Sequence, residues 1–244
     1  MGQFSTRSVH SPLPVRESAA LPLHAGKTIL VTGAARIEDD GPRARYFNSV
    51  QVVDKSGLAA ERYDKRRLVP FGEYLPLRFL LERARLTQFV HVPGGFEPGA
   101  GSRALRIRGL PDALAMVCYE AIFPNETRAR DGETAHVGYI LNLSDDAWFG
   151  AAAGPYQHFA EARLRAVELG LPLVRVANGG FSAIVDSRGV VVESAPLGPE
   201  TVLDGALPGA LPPTWQARWG AASFLLATAL AALACMTARR RLRS

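Results

Sequence analysis

Leu114-Ala115-Met116-Val117-Cys118-Tyr119-Glu120 is an apolar run that ends abruptly in a thiol followed by a phenol and a carboxylate. A short uninterrupted apolar segment reads as a strand buried on both faces, within a sheet that is covered above and below. Such a strand carries whatever follows it to the edge of the sheet, and here that is a nucleophile type. The plain alternative is a structural cysteine, because free Cys is among the residue types most often found inside.

The neighbouring segments supply the rest of a layered α/β pattern. Upstream, residues 28–32 are β-branched and close at Gly33, which predicts a buried strand. Residues 48–53 alternate and turn at Asp54-Lys55-Ser56-Gly57, which predicts a hairpin with a strand through Tyr63. Strands are also expected at 104–107, 113–117, 137–143, 173–177, 181–185 and 190–193, the last two joined by a turn at Asp186-Ser187-Arg188-Gly189. Phe159, Ala162, Ala166 and Leu169 recur at helical spacing between Pro155 and Gly170, so a helix is expected over 157–169. A shorter helix is expected over 77–84, and a polar helical segment after Pro124. Strands alternating with helices and interrupted by hairpins indicate an α/β sandwich. Gly99-Ala100-Gly101-Ser102-Arg103-Ala104 fits a G-x-G-x-x-A string, but it follows a loop and leads into a strand, so it is not read as a phosphate cradle.

The chain has 244 residues, 48% of them hydrophobic and 21% charged, enough for one such domain with an apolar extension. Two cysteines, Cys118 and Cys235, exclude a disulfide framework. The net charge of +5 is largely local, since Arg239, Arg240, Arg241 and Arg243 follow a stretch, 219–238, that contains no charged residue. That arrangement predicts a transmembrane helix over 219–238 with a basic cytoplasmic tail over 239–244, and it argues against nucleic acid as the partner. Residues 1–23 are rich in Ser, Pro and Arg and read as irregular; residues 195–218 read as a Pro- and Gly-rich linker, and 24–194 as the catalytic domain. No apolar segment that could act as an export signal occurs in 1–23, so the chain is expected to be the C-terminal portion of a longer protein. His10, His24, His91, His136 and His158 are scattered without ligand spacing, so no metal and no cofactor is expected; His158 reads as a packing or hydrogen-bonding residue.

Three loop or strand ends carry the residues suited to chemistry: Lys65 with Glu73, Cys118 with Tyr119 and Glu120, and Asp145-Asp146 with Trp148. A thiol nucleophile needs a base, an oxyanion donor and a wall that excludes water. Singly, each has a plainer reading: Lys65 heads a basic run that can simply be solvated, and the two aspartates can cap the next segment.

Together, the stretches YDKRRLVPFGEYLPL, CYEAIFPNETR, NLSDDAWFG and GPYQHFAEARLRAVELGLPLVRVANGGFSAIVD, in that order, resemble the bacterial apolipoprotein N-acyltransferases, membrane members of the nitrilase superfamily. The resemblance implies a nitrilase-like αββα sandwich, truncated at its N-terminus, on the periplasmic face of the inner membrane. It implies a Glu-Lys-Cys triad with Lys65 and the nucleophile Cys118, supported by Glu73, Tyr119 and Glu120. It also implies a phospholipid acyl donor and a diacylglyceryl-modified apolipoprotein as acceptor. The aromatic residues Phe71, Tyr74, Trp148 and Phe149 suit a lipid-facing entrance. The nearest match to the family's glutamate is Glu17 in Val15-Arg16-Glu17-Ser18-Ala19-Ala20-Leu21-Pro22, which lacks the Trp-Pro that precedes it in the family. Two alternatives stay open at this level: an amidase acting on small C–N substrates through the same Lys65 and Cys118, and a membrane-anchored remnant without activity.

Overall fold

The computed structural model describes residues 3–7, 28–39, 44–54, 57, 59–77, 94–101, 104–124, 137–150, 152–198 and 200–241. At its centre is a six-stranded sheet of β5 (Ala104–Leu105), β6 (Asp112–Val117), β7 (Val137–Asp145), β8 (Leu173–Asn178), β9 (Ala183–Val185) and β10 (Val191–Ser194), in spatial order β10-β9-β8-β7-β6-β5. The pairs β6/β7 and β7/β8 are parallel, and the flanking pairs are antiparallel. A second sheet is the antiparallel meander β2 (Leu30–Asp39), β3 (Ala44–Val53) and β4 (Ala59–Asp64).

Strand β6 shows why the layers assemble. Because side chains alternate across a strand, Ala113, Ala115 and Val117 face one way and join Val50, Val52 and Tyr63 of the meander with Tyr139, Leu141 and Val174. Leu114 and Met116 face the other way, against Ala162 and Ala166 of helix α1 (Gly154–Leu169), with Ile140, Leu173 and Val185. A strand covered on both faces has no position for a polar residue, and all five from Ala113 to Val117 are buried. The described layers are therefore helix, sheet, sheet.

Helix α1 starts with Pro155 in its first turn and stops at Gly170, whose φ of 68° is the left-handed conformation that glycine adopts freely. The stop also docks the chain that returns later, since Leu211 N donates to Gly170 O at 2.8 Å. The turn at Asp186 closes through Gly189 N to Asp186 O at 3.0 Å.

Four expectations need correction. The first strand does not close at Gly33; β2 continues to Asp39 because every residue from Leu30 pairs with β3, and ladder bonds outweigh one glycine's weak strand preference. It is also an edge strand, with Ile29, Leu30 and Val31 only partly buried. The segment read as irregular contains β1 (Gln3–Arg7), and the segment read as linker contains β11 (Val202–Ala206), which pairs with it antiparallel. Such a pairing joins the two ends of the chain and leaves no local signal. The linker also holds α2 (Trp215–Trp219), capped by Thr214 Oγ1 accepting from Ala217 N at 3.0 Å. The expected helix over 77–84 past Leu77, and the polar segment over 125–136, lie outside the described residues.

Helix α3 (Ala221–Arg241) follows α2, and Phe224, Leu225, Leu226, Leu230, Leu233 and Met236 along it are all exposed. Among the described residues no helix is long and apolar enough to cross a membrane. The span expected over 219–238 thus gains no support from them.

The two-faced core makes a direct prediction. Ile140→Ala is expected to cost roughly 2–5 kcal/mol of unfolding free energy, whereas Leu164→Ala, on the outer side of α1, should stay within about 0.5 kcal/mol. Denaturant unfolding of the two variants measures the difference, and equal losses would contradict the layer assignment.

Candidate active site

Cys118 is the first residue of a 3₁₀ turn, Cys118–Ile122, that begins where β6 ends. Its φ is +48°, a conformation that residues with a Cβ seldom adopt and that persists only where the surroundings enforce it. The thiol is partly exposed and lies 3.8 Å from Asp145 O at the end of β7.

Glu120 enforces one side of that turn. Its carboxylate is fully buried and accepts four hydrogen bonds: Oε2 from Val117 N at 2.9 Å, and Oε1 from the Tyr63 hydroxyl at 2.8 Å, Arg66 N at 3.0 Å and Arg67 N at 3.1 Å. Arg66 and Arg67 directly follow Lys65. One carboxylate therefore ties the turn bearing the thiol to the loop bearing the lysine.

Lys65 is 1% exposed and pairs with Glu73, its Nζ 3.0 Å from Oε1 and 2.8 Å from Oε2. It does not belong to a solvated basic run. A buried ammonium requires such a partner, and Glu73 is itself held by Asn48 Nδ2 at 2.7 Å and Val69 N at 2.8 Å. Lys65 N donates to Asn48 O and Lys65 O accepts from Gly99 N, so the lysine's backbone is fixed as well.

On the other side of Cys118 lies a network that the sequence pattern left undetected. Asp146, at zero exposure, accepts from Arg175 Nη2 at 2.7 Å and from Ser144 Oγ at 2.6 Å, and its Oδ1 is 2.8 Å from His158 Nδ1. His158 Nε2 lies 3.1 Å from the Cys118 carbonyl oxygen. Arg175 also donates to Asn142 Oδ1 and to Phe181 O, and Asn142 Nδ2 donates to Met116 O at 3.0 Å. Burial pushes the Asp146 carboxyl up, but the His158 hydrogen bond, the Arg175 charge and the Ser144 hydroxyl outweigh it and hold it below its ordinary range. Burial lowers the Arg175 guanidinium from its usual value, with Asp146 opposing that shift. Gly180 is required here, because a Cβ at that position would overlap the Asp146 carboxylate. Arg175 within the apolar run Leu173-Val174-Arg175-Val176-Ala177 was the available signal: a charge in a buried strand demands a buried partner.

The aromatic residues expected at an entrance open to solvent, and of these Phe149 reaches the site through His158. Phe71, with φ of +64°, is 51% exposed and Trp148 is 64% exposed, with Phe149 also exposed and Tyr74 partly so. Tyr119 stacks edge-on to Phe123 at 4.8 Å, and the Arg67 guanidinium covers the Phe123 ring at 4.0 Å. Glu17 lies outside the described residues. The Sγ, imidazole and carboxylate atoms of Cys118, His158 and Asp146 all lie within 4.8 Å of one another, but Asp146 is already fully engaged by Arg175, Ser144 and His158, and this is not the open, unpaired donor set of a resident metal.

A family model for carbon-nitrogen hydrolases matches residues 19–214. The chain belongs to the carbon-nitrogen hydrolase family. Among solved structures of this nitrilase-like α/β fold, the chain is similar to the amidase of Nesterenkonia sp. AN1, with a TM-score of 0.52 and 20% identity over 74% of this chain and 63% of that one. It is similarly related to Nit3 of Saccharomyces cerevisiae, with a TM-score of 0.52 and 21% identity, covering 74% and 59% of the two chains. In sequence it is 47% identical over 217 residues to an apolipoprotein N-acyltransferase of Bradyrhizobium diazoefficiens, covering 88% of this chain and 40% of that protein. It is 44% identical over 196 residues to that of Rhodopseudomonas palustris, covering 79% and 36%. The chain thus spans well under half the length of these curated relatives.

Two outcomes follow for this carbon-nitrogen hydrolase site. Asp146→Asn leaves Arg175 buried without its charge partner and is expected to cost about 3–5 kcal/mol at neutral pH. Because the Asp146 carboxyl titrates below its ordinary 3.8 in the folded state, its contribution is complete above that value and is lost as pH falls through the folded value. The difference in stability between native and Asp146→Asn proteins should therefore shrink on strong acidification, and a pH-independent difference in denaturation would refute the assignment. Glu120→Gln sets an amide donor against one of four donors and should cost at least about 1–3 kcal/mol, read from the same denaturation experiment.

Proposed function

We propose that this chain is the catalytic part of an apolipoprotein N-acyltransferase, and that Cys118 carries the acyl group between donor and acceptor. The observation that supports this best is the thiol held at a positive φ in a turn that Glu120 ties to the loop of the buried Lys65–Glu73 pair. A buried, paired lysine tied in this way to a conformationally constrained thiol suits a site prepared for a developing oxyanion. Relatives sharing 47% and 44% identity carry that activity in their names.

In the proposed cycle, a carboxylate base, for which Glu17 is the nearest candidate, takes the Cys118 proton as the thiolate attacks the sn-1 ester carbonyl of a phospholipid. The tetrahedral oxyanion is stabilised by the Lys65 ammonium and the Tyr119 N–H. Its collapse expels the lysophospholipid alkoxide, which recovers the proton, and leaves a Cys118 thioester. The α-amine of the diacylglyceryl-cysteine then attacks that thioester, the amide forms, and the thiolate leaves and is reprotonated. Splitting the transfer replaces one difficult step with two easier ones. Glu73 keeps Lys65 oriented, and its charge balances the ammonium in a buried setting.

A lipid donor also accounts for the exposed apolar surface. Phe71 and Trp148 are exposed, as are the large apolar side chains described along α3. Trp215 and Trp219 stack at 5.6 Å just before α3, the aromatic type favoured where lipid meets water. We place α3 in contact with the inner membrane, with the catalytic domain on the periplasmic side and the Arg239–Arg243 cluster on the cytoplasmic side.

Incubation of membranes containing the protein with phospholipid radiolabelled in the sn-1 chain should yield hydroxylamine-sensitive label on Cys118, absent from Cys118→Ala. A folded native sample that acquires no label, or that releases ammonia from small amides instead, would overturn the reading.

A further inference from the structure

We infer that His158 is a positioning residue, one that fixes the Cys118–Tyr119 peptide plane and so aims the Tyr119 N–H at the oxyanion. The inference rests on the acyl-transfer reading of Cys118 and assigns a part to a residue that the reading leaves unused.

The peptide joining Cys118 to Tyr119 is planar and trans, so its carbonyl and its N–H point in opposite directions. Whatever holds the Cys118 oxygen therefore sets the direction of the Tyr119 hydrogen. His158 Nε2 is 3.1 Å from that oxygen. The Tyr119 N–H lies in the first turn of the 3₁₀ segment, where the helix supplies no carbonyl to accept it, so it is available to a ligand. A φ of +48° at Cys118 is not a resting conformation for a residue with a Cβ, and without an external bond the peptide would relax toward ordinary backbone angles.

The support behind His158 is rigid. The ring is 5% exposed and its Nδ1 lies 2.8 Å from Asp146 Oδ1. Asp146 is locked by Arg175 and Ser144, and Arg175 is anchored in turn by Asn142 and by Phe181 O. Phe149 meets the imidazole edge-on at 5.7 Å. His158 Nδ1 faces both Asp146 Oδ1 at 2.8 Å and Arg175 Nη2 at 3.3 Å, whereas Nε2 faces the Cys118 carbonyl, which can only accept, so the Nε2 edge is the donor to that oxygen. The chain of contacts runs from Arg175 in the middle of β8 to the Cys118 backbone; the Arg175–Asp146 and Asp146–His158 links are buried and the last is partly so.

Two amide substitutions separate the two ends of the ring. His158→Gln carries a donor to about the position of Nε2, whereas His158→Asn reaches only the position of Nδ1. In the full chain with Cys235→Ser, acylation of Cys118 is read as the burst of nitrophenolate from p-nitrophenyl hexanoate. Alkylation by iodoacetamide, whose transition state builds no oxyanion, is read in parallel. His158→Asn is expected to slow the acylation burst by about 10²-fold, the scale of one lost oxyanion donor, with alkylation changed by less than about threefold. His158→Gln should recover most of the burst rate. An unchanged burst in His158→Asn, or acylation and alkylation falling together, would overturn the inference while leaving the acyl-transfer reading intact. A native protein that is alkylated at Cys118 but gives no burst would sink that reading, and the inference with it.

Discussion

The four hydrogen bonds accepted by the Glu120 carboxylate are the interaction on which the rest of the site depends. Val117 N belongs to the strand that delivers the thiol, Tyr63 to the meander, and Arg66 N and Arg67 N to the loop behind Lys65. These groups come from two separated parts of the chain, residues 63–67 and Val117, and meet at one fully buried group. A carboxylate removed from water is tolerated only when its acceptor capacity is met, so the same requirement that keeps Glu120 paired also sets the distance between the two loops. Glu120 thereby couples the packing of the two sheets to the geometry of the chemistry.

A second buried carboxylate, Asp146, does for the other side of Cys118 what Glu120 does for the first. It gathers Arg175 from β8, Ser144 from β7 and His158 from α1. The thiol thus sits between two independent polar hubs, one leading to Lys65 and one leading to its own carbonyl. The core around them is apolar on both faces of β6, which keeps water from competing for these bonds. Both hubs adjoin the turn in which Cys118 holds its positive φ, and the apolar layers hold the ends of β6, β7 and β8 in register.

The layered α/β pattern was legible because it rests on local periodicity. Residues 113–117 announce a doubly buried strand, and Pro155 and Gly170 bracket α1 through backbone properties of single residues. The meander was partly legible: its hairpin turn at Asp54 to Gly57 is a local signal, whereas the extension of β2 through Gly33 is decided by its partner. The pairing of Gln3–Arg7 with Val202–Ala206 was not legible, since nothing in either segment refers to the other. For the site, Cys118, Lys65, Glu73, Tyr119 and Glu120 could be picked out because the motif strings that carry them, taken together, resemble a known family. The part His158 takes was hidden, because its partners Asp146 and Arg175 lie 12 and 17 residues away and on different elements.

The sequence by itself determined most strands of the central sheet and helix α1, which residues are candidates for chemistry and which family the motifs resemble, since strand alternation, helix caps and motif strings are properties of neighbours along the chain. Only the tertiary structure decided that Lys65 is buried and paired, that Glu120 is a brace between loops, and that Arg175, Asp146 and His158 form a chain of contacts to the Cys118 carbonyl. Those facts depend on the cost of burying charge, which is met or not met by groups that folding brings from distant positions. That Cys118 stands at the end of a buried strand could be read from seven residues; that a buried histidine faces its carbonyl could not.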